Sequence, residues 1–183
     1  MSPRCPRFIC VGPLLLLPNR VICNTLIAKG GEKFGYLASN QHGTPEGYSR
    51  CFGCGQDNPI GLKLKFEKTQ QGARAVFTAG EQYQGCPGYL HGGIAGCLLD
   101  EAMSYAVLFA GERSLTAKLE MRLKKLIPIN EPLTITGAVA RKTRKVIECV
   151  AAISLNDGTI VAEGKATQFV IDVNQKNPGK SNE

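Results

Sequence analysis

The sequence predicts an α+β domain in which an antiparallel β-sheet wraps around one long central helix. Three observations predict it. Residues 91–110 form an almost wholly apolar run whose only charges are Asp100 and Glu101, and a helix that is apolar all round is buried. Segments with period-two alternation stand before and after that run. The later segments are joined by short links rich in turn residues, which makes sequential neighbours antiparallel. One helix cannot cover both faces of such a sheet, so it lies across the concave face.

The elements follow in order. Residues 1–47 stand apart as an N-terminal extension, basic and apolar at first, with no acidic residue before Glu32. Pro13 and Pro18 bracket a short leucine run, and no small-residue cleavage site follows. The stretch is compatible with a targeting segment and with a non-native extension from a misplaced start codon. Residues 30–50 are polar and glycine-rich and read as a linker. The domain is expected over 48–173, with a frayed polar tail over 174–183.

Inside the domain, Leu62, Leu64 and Phe66 alternate with Lys63, Lys65 and Glu67, a strand signature. Gln70-Gln71-Gly72 turns the chain into a second strand over 73–78. After the helix, Gly111 stands where a C-terminal cap glycine belongs. Leu115, Ala117, Leu119, Met121 and Leu123 then alternate with Thr116, Lys118, Glu120, Arg122 and Lys124, which predicts one packed face and one open face. Pro128 ends that strand. A further strand covers 133–141. Residues 146–155 and 159–171 flank Asn156-Asp157-Gly158, a hairpin signal. Ala162, Gly164 and Ala166 share one face of the last strand, where small side chains let a helix approach closely.

Bulk properties narrow the function. The chain has 183 residues and a formal charge of +7, of which +4 falls on residues 1–50 and +3 on residues 51–183. The domain is thus only mildly basic. That suits a phosphorylated small molecule better than a nucleic-acid backbone, and no aromatic–basic repeat is present. No run approaches the length of a membrane-spanning helix, so neither nucleic acid nor membrane is an expected partner. Of eight cysteines, Cys5, Cys10 and Cys23 lie in the extension, and Cys97 and Cys149 sit in apolar runs as small buried hydrophobes. The pattern is not a secreted disulfide framework, so a reducing, cytoplasmic location is expected. Cys51-x-x-Cys54 offers two zinc-type ligands, but structural zinc wants four. The domain has no second pair, and a four-Cys site shared by two copies is the remaining route to a metal. A glycine-rich knuckle with no metal is the expectation.

The chemistry concentrates in residues 84–103. Glycines at the start of the helix leave backbone N–H groups to meet an anion or a polarised carbonyl. Carboxylates rarely sit in an apolar helix without a partner or a task, and an apolar setting raises a carboxylate's proton affinity, strengthening it as a base. Glu101 points about 100° away from Asp100 and has Tyr105 as an i,i+4 partner. Nine residues of helix rise about 13.5 Å and turn about 900°. Asp100 therefore cannot share a site with the His91-Gly92 terminus of its own helix, and joint action requires a two-fold dimer.

The element order, the HGG-x6-D pattern of His91-Gly92-Gly93 and Asp100, Pro87-Gly88 upstream, the alternating strand from Leu115 and the phrase CFGCGQDNPIGLKL at residues 51–64 together resemble the PaaI-like hotdog-fold acyl-CoA thioesterases over about residues 48–172. The resemblance implies a hotdog fold and hydrolysis of an acyl-CoA thioester without a cofactor. It implies that the Gly92 N–H polarises the thioester carbonyl and that Asp100 attacks it or activates water. Thr116 is the candidate for the Ser/Thr that holds that water in some members. Gln84 is the nearest counterpart of an Asn or Gln found shortly before the His in several relatives, at a different spacing. His91 stands as helix cap or proton-transfer group, and Gly93 as part of the substrate-binding turn. Arg144 and Lys145, at a turn, are candidates for the coenzyme A phosphates. Met103, Val107 and Leu108 are candidates for the acyl pocket. A homodimer, and by analogy a dimer of dimers, is implied. Two other readings remain: a hotdog acyl-thioester hydratase or dehydratase, and a non-catalytic acyl-CoA-binding module.

Overall fold

Alternating apolar residues, one buried helix and glycines at the points of closest approach produce a single curved layer around a rod. The structure, a computed structural model, describes residues 47–171. Apart from Gly47, the expected extension and tail lie outside the described residues. The chain runs β1 (Glu67–Thr69), β2 (Gly72–Thr78), a 3₁₀ turn (Glu81–Tyr83), α1 (Gly92–Phe109), β3 (Ser114–Leu123), β4 (Pro132–Lys142), β5 (Val146–Ser154) and β6 (Ile160–Val170). Among the described residues the strands form one antiparallel sheet in the order β1-β2-β4-β5-β6-β3.

Two features differ from simple hairpin succession. β3 does not pair with β4, its successor; it crosses to the far edge and pairs with β6. It also ends at Leu123, short of Pro128. The first expected strand shrinks to β1, because Lys63 takes a positive φ of 57°. Leu62, Leu64 and Phe66 are nevertheless buried. Their backbone bonds instead to the loop before them, with Leu62 N–H on Phe52 O at 2.8 Å and Leu64 N–H on Gly53 O at 3.0 Å.

α1 starts on His91, whose side chain accepts from Gly93 N–H. It stops in a Schellman closure: Gly111 N–H bonds Leu108 O, Glu112 N–H bonds Val107 O, and Gly111 has φ +84°. By length and composition α1 could cross a membrane, which the reading of the sequence did not allow for. Here it is the core helix, with Leu98, Leu99, Met103 and Val107 fully buried. The sheet comes nearest at Gly137 of β4, where a Cβ would lie 2.1 Å from the Ala102 carbonyl oxygen. Any side chain there would push helix and sheet apart. Gly164, foreseen as a small contact, sits at ordinary contact distance from Leu99.

Candidate active site

The strict alternation read in β3 is broken by a bulge. Thr116 pairs with Gln168 of β6, but Lys118 pairs with Thr167. An extra residue in one strand shifts every following side chain to the other face. Thr116 therefore shares the helix-facing side with Leu119, Met121 and Leu123, opposite Ala166, Gly164 and Ala162. Leu115 joins the outer face with Phe169. The expected grouping of Thr116 with Lys118 and of Leu115 with Leu119 is thus corrected.

This bulge puts the Thr116 hydroxyl on the Asp100 carboxylate, with Oγ1 donating to Oδ1 at 2.7 Å. Behind it stands Gln168, a fully buried polar side chain. Its Nε2 donates to Thr116 Oγ1 and to Ser104 Oγ, both at 3.4 Å, and its Oε1 accepts from Ser114 Oγ at 2.6 Å. Asp100 is half-buried. One of its oxygens is fixed by a hydroxyl that is itself held from behind. The sequence did not single out Gln168, Ser104 or Ser114. A signal existed for Gln168, which continues the period-two row Ala162, Gly164, Ala166 onto the same buried face.

The helix N-terminus is the second half of the constellation. Ile94 and Ala95 N–H both bond His91 O, and Gly93 N–H bonds His91 Nδ1 at 3.0 Å. The Gly92 N–H is the one first-turn donor without a partner among the described residues. With Nδ1 accepting, a neutral His91 carries its proton on Nε2. Gly92 and Gly96 face β3: a Cβ on Gly92 would meet Leu123 at 3.3 Å, and one on Gly96 would meet Met121 at 3.2 Å. Gly92, Gly96 and Asp100 therefore lie along one flank of α1. The eight residues from Gly92 to Asp100 still span about 12 Å along the axis. The structure does not bring the two together within one protomer.

The remaining candidates disperse. Gln84 Oε1 accepts from Gly88 N–H at 2.6 Å, so its carbonyl closes its own loop. That loop packs on His91, since a Cβ on Gly85 would lie 3.1 Å from His91 Cα. Arg144 and Lys145 are exposed at the β4–β5 turn and make no ion pair among the described residues. Lys145 O accepts from Val170 N–H, which places this turn at the Ser114 end of β3, away from the Leu123 end that faces Gly92. Met103 and Val107 belong to the core of one protomer.

Glu101 sits on the adjoining flank, and its partner is not Tyr105. Cys51 Sγ donates to Glu101 Oε1 at 3.3 Å. Burial pushes the Glu101 carboxyl above its ordinary range; bonds from Cys51 and Cys54 pull it partly back, and the nearby Asp100 adds to the rise. Tyr105 instead stacks on Phe66 and meets Phe109 edge to face. Burial also raises the Cys97 thiol to about 12 and the Cys149 thiol to about 11, so both stay protonated at neutral pH.

Residues 87–162 match the family model of the thioesterase superfamily, and that segment contains Gly92, Asp100 and Thr116. The domain has the hotdog fold, and the matched segment is similar to that superfamily. Human acyl-coenzyme A thioesterase THEM5 is 24% identical over 145 residues, which is 79% of this chain and 58% of that protein. The chain therefore spans little more than half the length of this curated relative. A thioesterase protein from Streptococcus pneumoniae, solved with coenzyme A, superposes with a TM-score of 0.56 at 19% identity, covering 58% of this chain and 87% of that one. It has also been solved with one aspartate and, separately, one threonine replaced by alanine, sixteen positions apart. The Escherichia coli PaaI protein of the phenylacetic acid degradation operon superposes with a TM-score of 0.56 at 19% identity, covering 59% of this chain and 83% of that one.

Proposed function

We propose that this chain hydrolyses acyl-CoA thioesters at sites shared between two copies. The observation that carries the reading is the Thr116–Asp100 bond at 2.7 Å on the same helix flank whose far end offers the unpartnered Gly92 N–H. The two are too far apart to act together in one protomer, and a two-fold axis beside β3 makes each face the other's counterpart. β3 is an edge strand, and its helix-side residues Met121 and Leu123 are 43% and 47% exposed. An apolar edge of that kind is suited to cover by a second copy. The names of the human and pneumococcal relatives support the substrate class. The sixteen-residue spacing of the replaced aspartate and threonine equals that of Asp100 and Thr116.

The chemistry follows from the geometry. The thioester carbonyl oxygen gathers negative charge as it is attacked, and the Gly92 N–H with the positive end of α1 stabilises it. Asp100 of the opposing copy uses its second oxygen as general base toward water or as nucleophile. Thr116 is a positioning residue, keeping that oxygen aimed. The C–S bond breaks and the thiolate leaves, taking up a proton that originates from the water; by the nucleophilic route water then hydrolyses the acyl–Asp100 anhydride, and either way the products are a carboxylate and the free thiol of CoA. Arg144 and Lys145 receive the nucleotide phosphates as exposed cations.

A thiol-release assay over a panel of acyl-CoAs, run on wild type and on Asp100→Asn, tests the reading. Turnover in wild type, lost in a variant that remains dimeric, is expected. Hydration of an enoyl-CoA without thiol release, binding without turnover, or normal hydrolysis by Asp100→Asn would overturn it.

A further inference from the structure

The second flank of α1 carries a constellation that thioester hydrolysis does not use. We propose that Cys51, Cys54 and Glu101 form a thiolate–carboxylate site for a zinc-class divalent cation. Their three ligand atoms lie within 4.8 Å of one another, and Cys51 Sγ stands 3.3 Å from Glu101 Oε1. Tetrahedral bonds of about 2.3 Å to sulfur and about 2.0 Å to oxygen require ligand separations of about 3.8 Å between sulfurs and about 3.5 Å between sulfur and oxygen. From separations of at most 4.8 Å, the three atoms need to close by about 1 Å.

The chain is built to hold them there. Gly53 has no room for a Cβ, which would fall 2.3–2.6 Å from the Glu101 side chain. Gly55 has none either, at 2.4–2.5 Å from the Cys51 backbone. The two glycines of Cys-Phe-Gly-Cys-Gly therefore let the loop fold tightly, with Gly55 N–H on Cys51 O at 3.0 Å, while lying flat on the carboxylate. The loop is pinned from its other side by Leu62 and Leu64 N–H, and the third ligand comes from the middle of the core helix. The Tyr105 hydroxyl hydrogen-bonds Cys54, the outer partner that a metal-bound sulfur keeps.

The donor set selects the ion. Two thiols with one carboxylate favour zinc over magnesium or calcium, which take oxygen ligands. Thiols are weak hydrogen-bond donors, so a half-buried carboxylate with two of them as neighbours is better matched as a ligand set than as a hydrogen-bonding one. Binding displaces the thiol protons of Cys51 and Cys54 to solvent, and the fourth position is left to water. Sequence spacing showed only the Cys pair; Glu101 completes it from fifty residues away.

Cobalt(II) titration of the reduced, chelator-treated full chain tests the site. About one ion per chain is expected, with sulfur-to-metal charge-transfer absorption and the visible bands of a tetrahedral ion, displaced by zinc. The Cys51→Ser, Cys54→Ser double variant should lose the charge-transfer band, and Glu101→Gln should weaken binding about tenfold or more. Absence of the band in wild type, or equal binding in the double variant, would overturn the site, and unchanged affinity in Glu101→Gln would overturn its carboxylate ligand. Because a cysteine variant can fail to fold, alkylation of wild type is the second measurement. Zinc should protect the half-buried Cys51 while exposed Cys86 reacts at an unchanged rate. Equal labelling of Cys51 with and without zinc would overturn the proposal.

Discussion

Asp100 and Glu101 are sequence neighbours on one helix, yet they occupy opposite kinds of surroundings. Asp100 lies on the flank that follows edge strand β3, half-buried, and is met by a hydroxyl backed by a buried amide. Glu101, about 100° further round, is covered by the loop of residues 51–55 and met by sulfur. Helix phase alone separates them. The first flank is open because β3 has no strand beyond it; the second is closed because Gly53 allows the loop to lie against the carboxyl. Asp100 is held by one oxygen, as the proposed hydrolysis requires, while Glu101 is met by the loop.

Substitutions on the two flanks should separate these roles. The largest effect is expected from Asp100→Asn, which removes the proposed base or nucleophile while leaving the Thr116 bond geometrically possible. Thiol release should fall about 10²–10⁴-fold with Tm within about a degree of wild type. Gly92→Pro comes next. Proline is tolerated at the first helical position, His91 already has the extended ψ of 134° that precedes proline, and the substitution deletes the free N–H. A loss of about 10²–10³-fold in kcat is expected, with the helical circular-dichroism signal kept. Thr116→Val should cost about 10–100-fold in kcat, the worth of a hydrogen bond to a charged group, and Thr116→Ser should restore most of it. Gln168→Leu leaves the Ser104, Ser114 and Thr116 hydroxyls without their shared partner. It should lower stability by about 1–3 kcal/mol in denaturant titration, with a smaller loss of rate than Thr116→Val.

The closed flank should respond to pH rather than to substrate. The folded carboxyl of Glu101 holds its proton more tightly than the unfolded one. The folded state therefore binds more protons above the ordinary value of 4.5, and stability falls as pH rises through that window. In metal-stripped protein, the Tm of wild type relative to Glu101→Gln should decline as pH is raised from about 4.5, while kcat at neutral pH stays within about twofold for both. A rising difference would mean that Glu101 is not the enclosed acid.

The same contrast explains what the sequence could show. The helix and the strands β4 to β6 follow from local periodicity, which acts over a few residues, and the roles expected of Gly92 and Asp100 come from the family resemblance. The partners of the two acids do not. Thr116 reaches Asp100 only because a bulge reverses the alternation, and a one-residue insertion inside an apparently regular strand leaves no mark on the pattern. Gln168 is one polar residue at the end of a row of small ones. The Cys51–Glu101 contact joins two segments fifty residues apart, and no spacing rule spans that distance. Gly137, where helix and sheet approach most closely, sits in a strand that reads well without it.

The account rests on Asp100 and Gly92 acting across a two-fold axis, and mixed dimers test that directly. Asp100→Asn and Gly92→Pro chains, each inactive alone, are unfolded together in equal amounts and refolded. Half of the resulting dimers are mixed, and each mixed dimer holds one site with an intact Asp100 and an intact Gly92. Thiol release near a quarter of the wild-type rate is predicted. No recovery from a mixture shown by native mass spectrometry to contain mixed dimers would contradict the shared site.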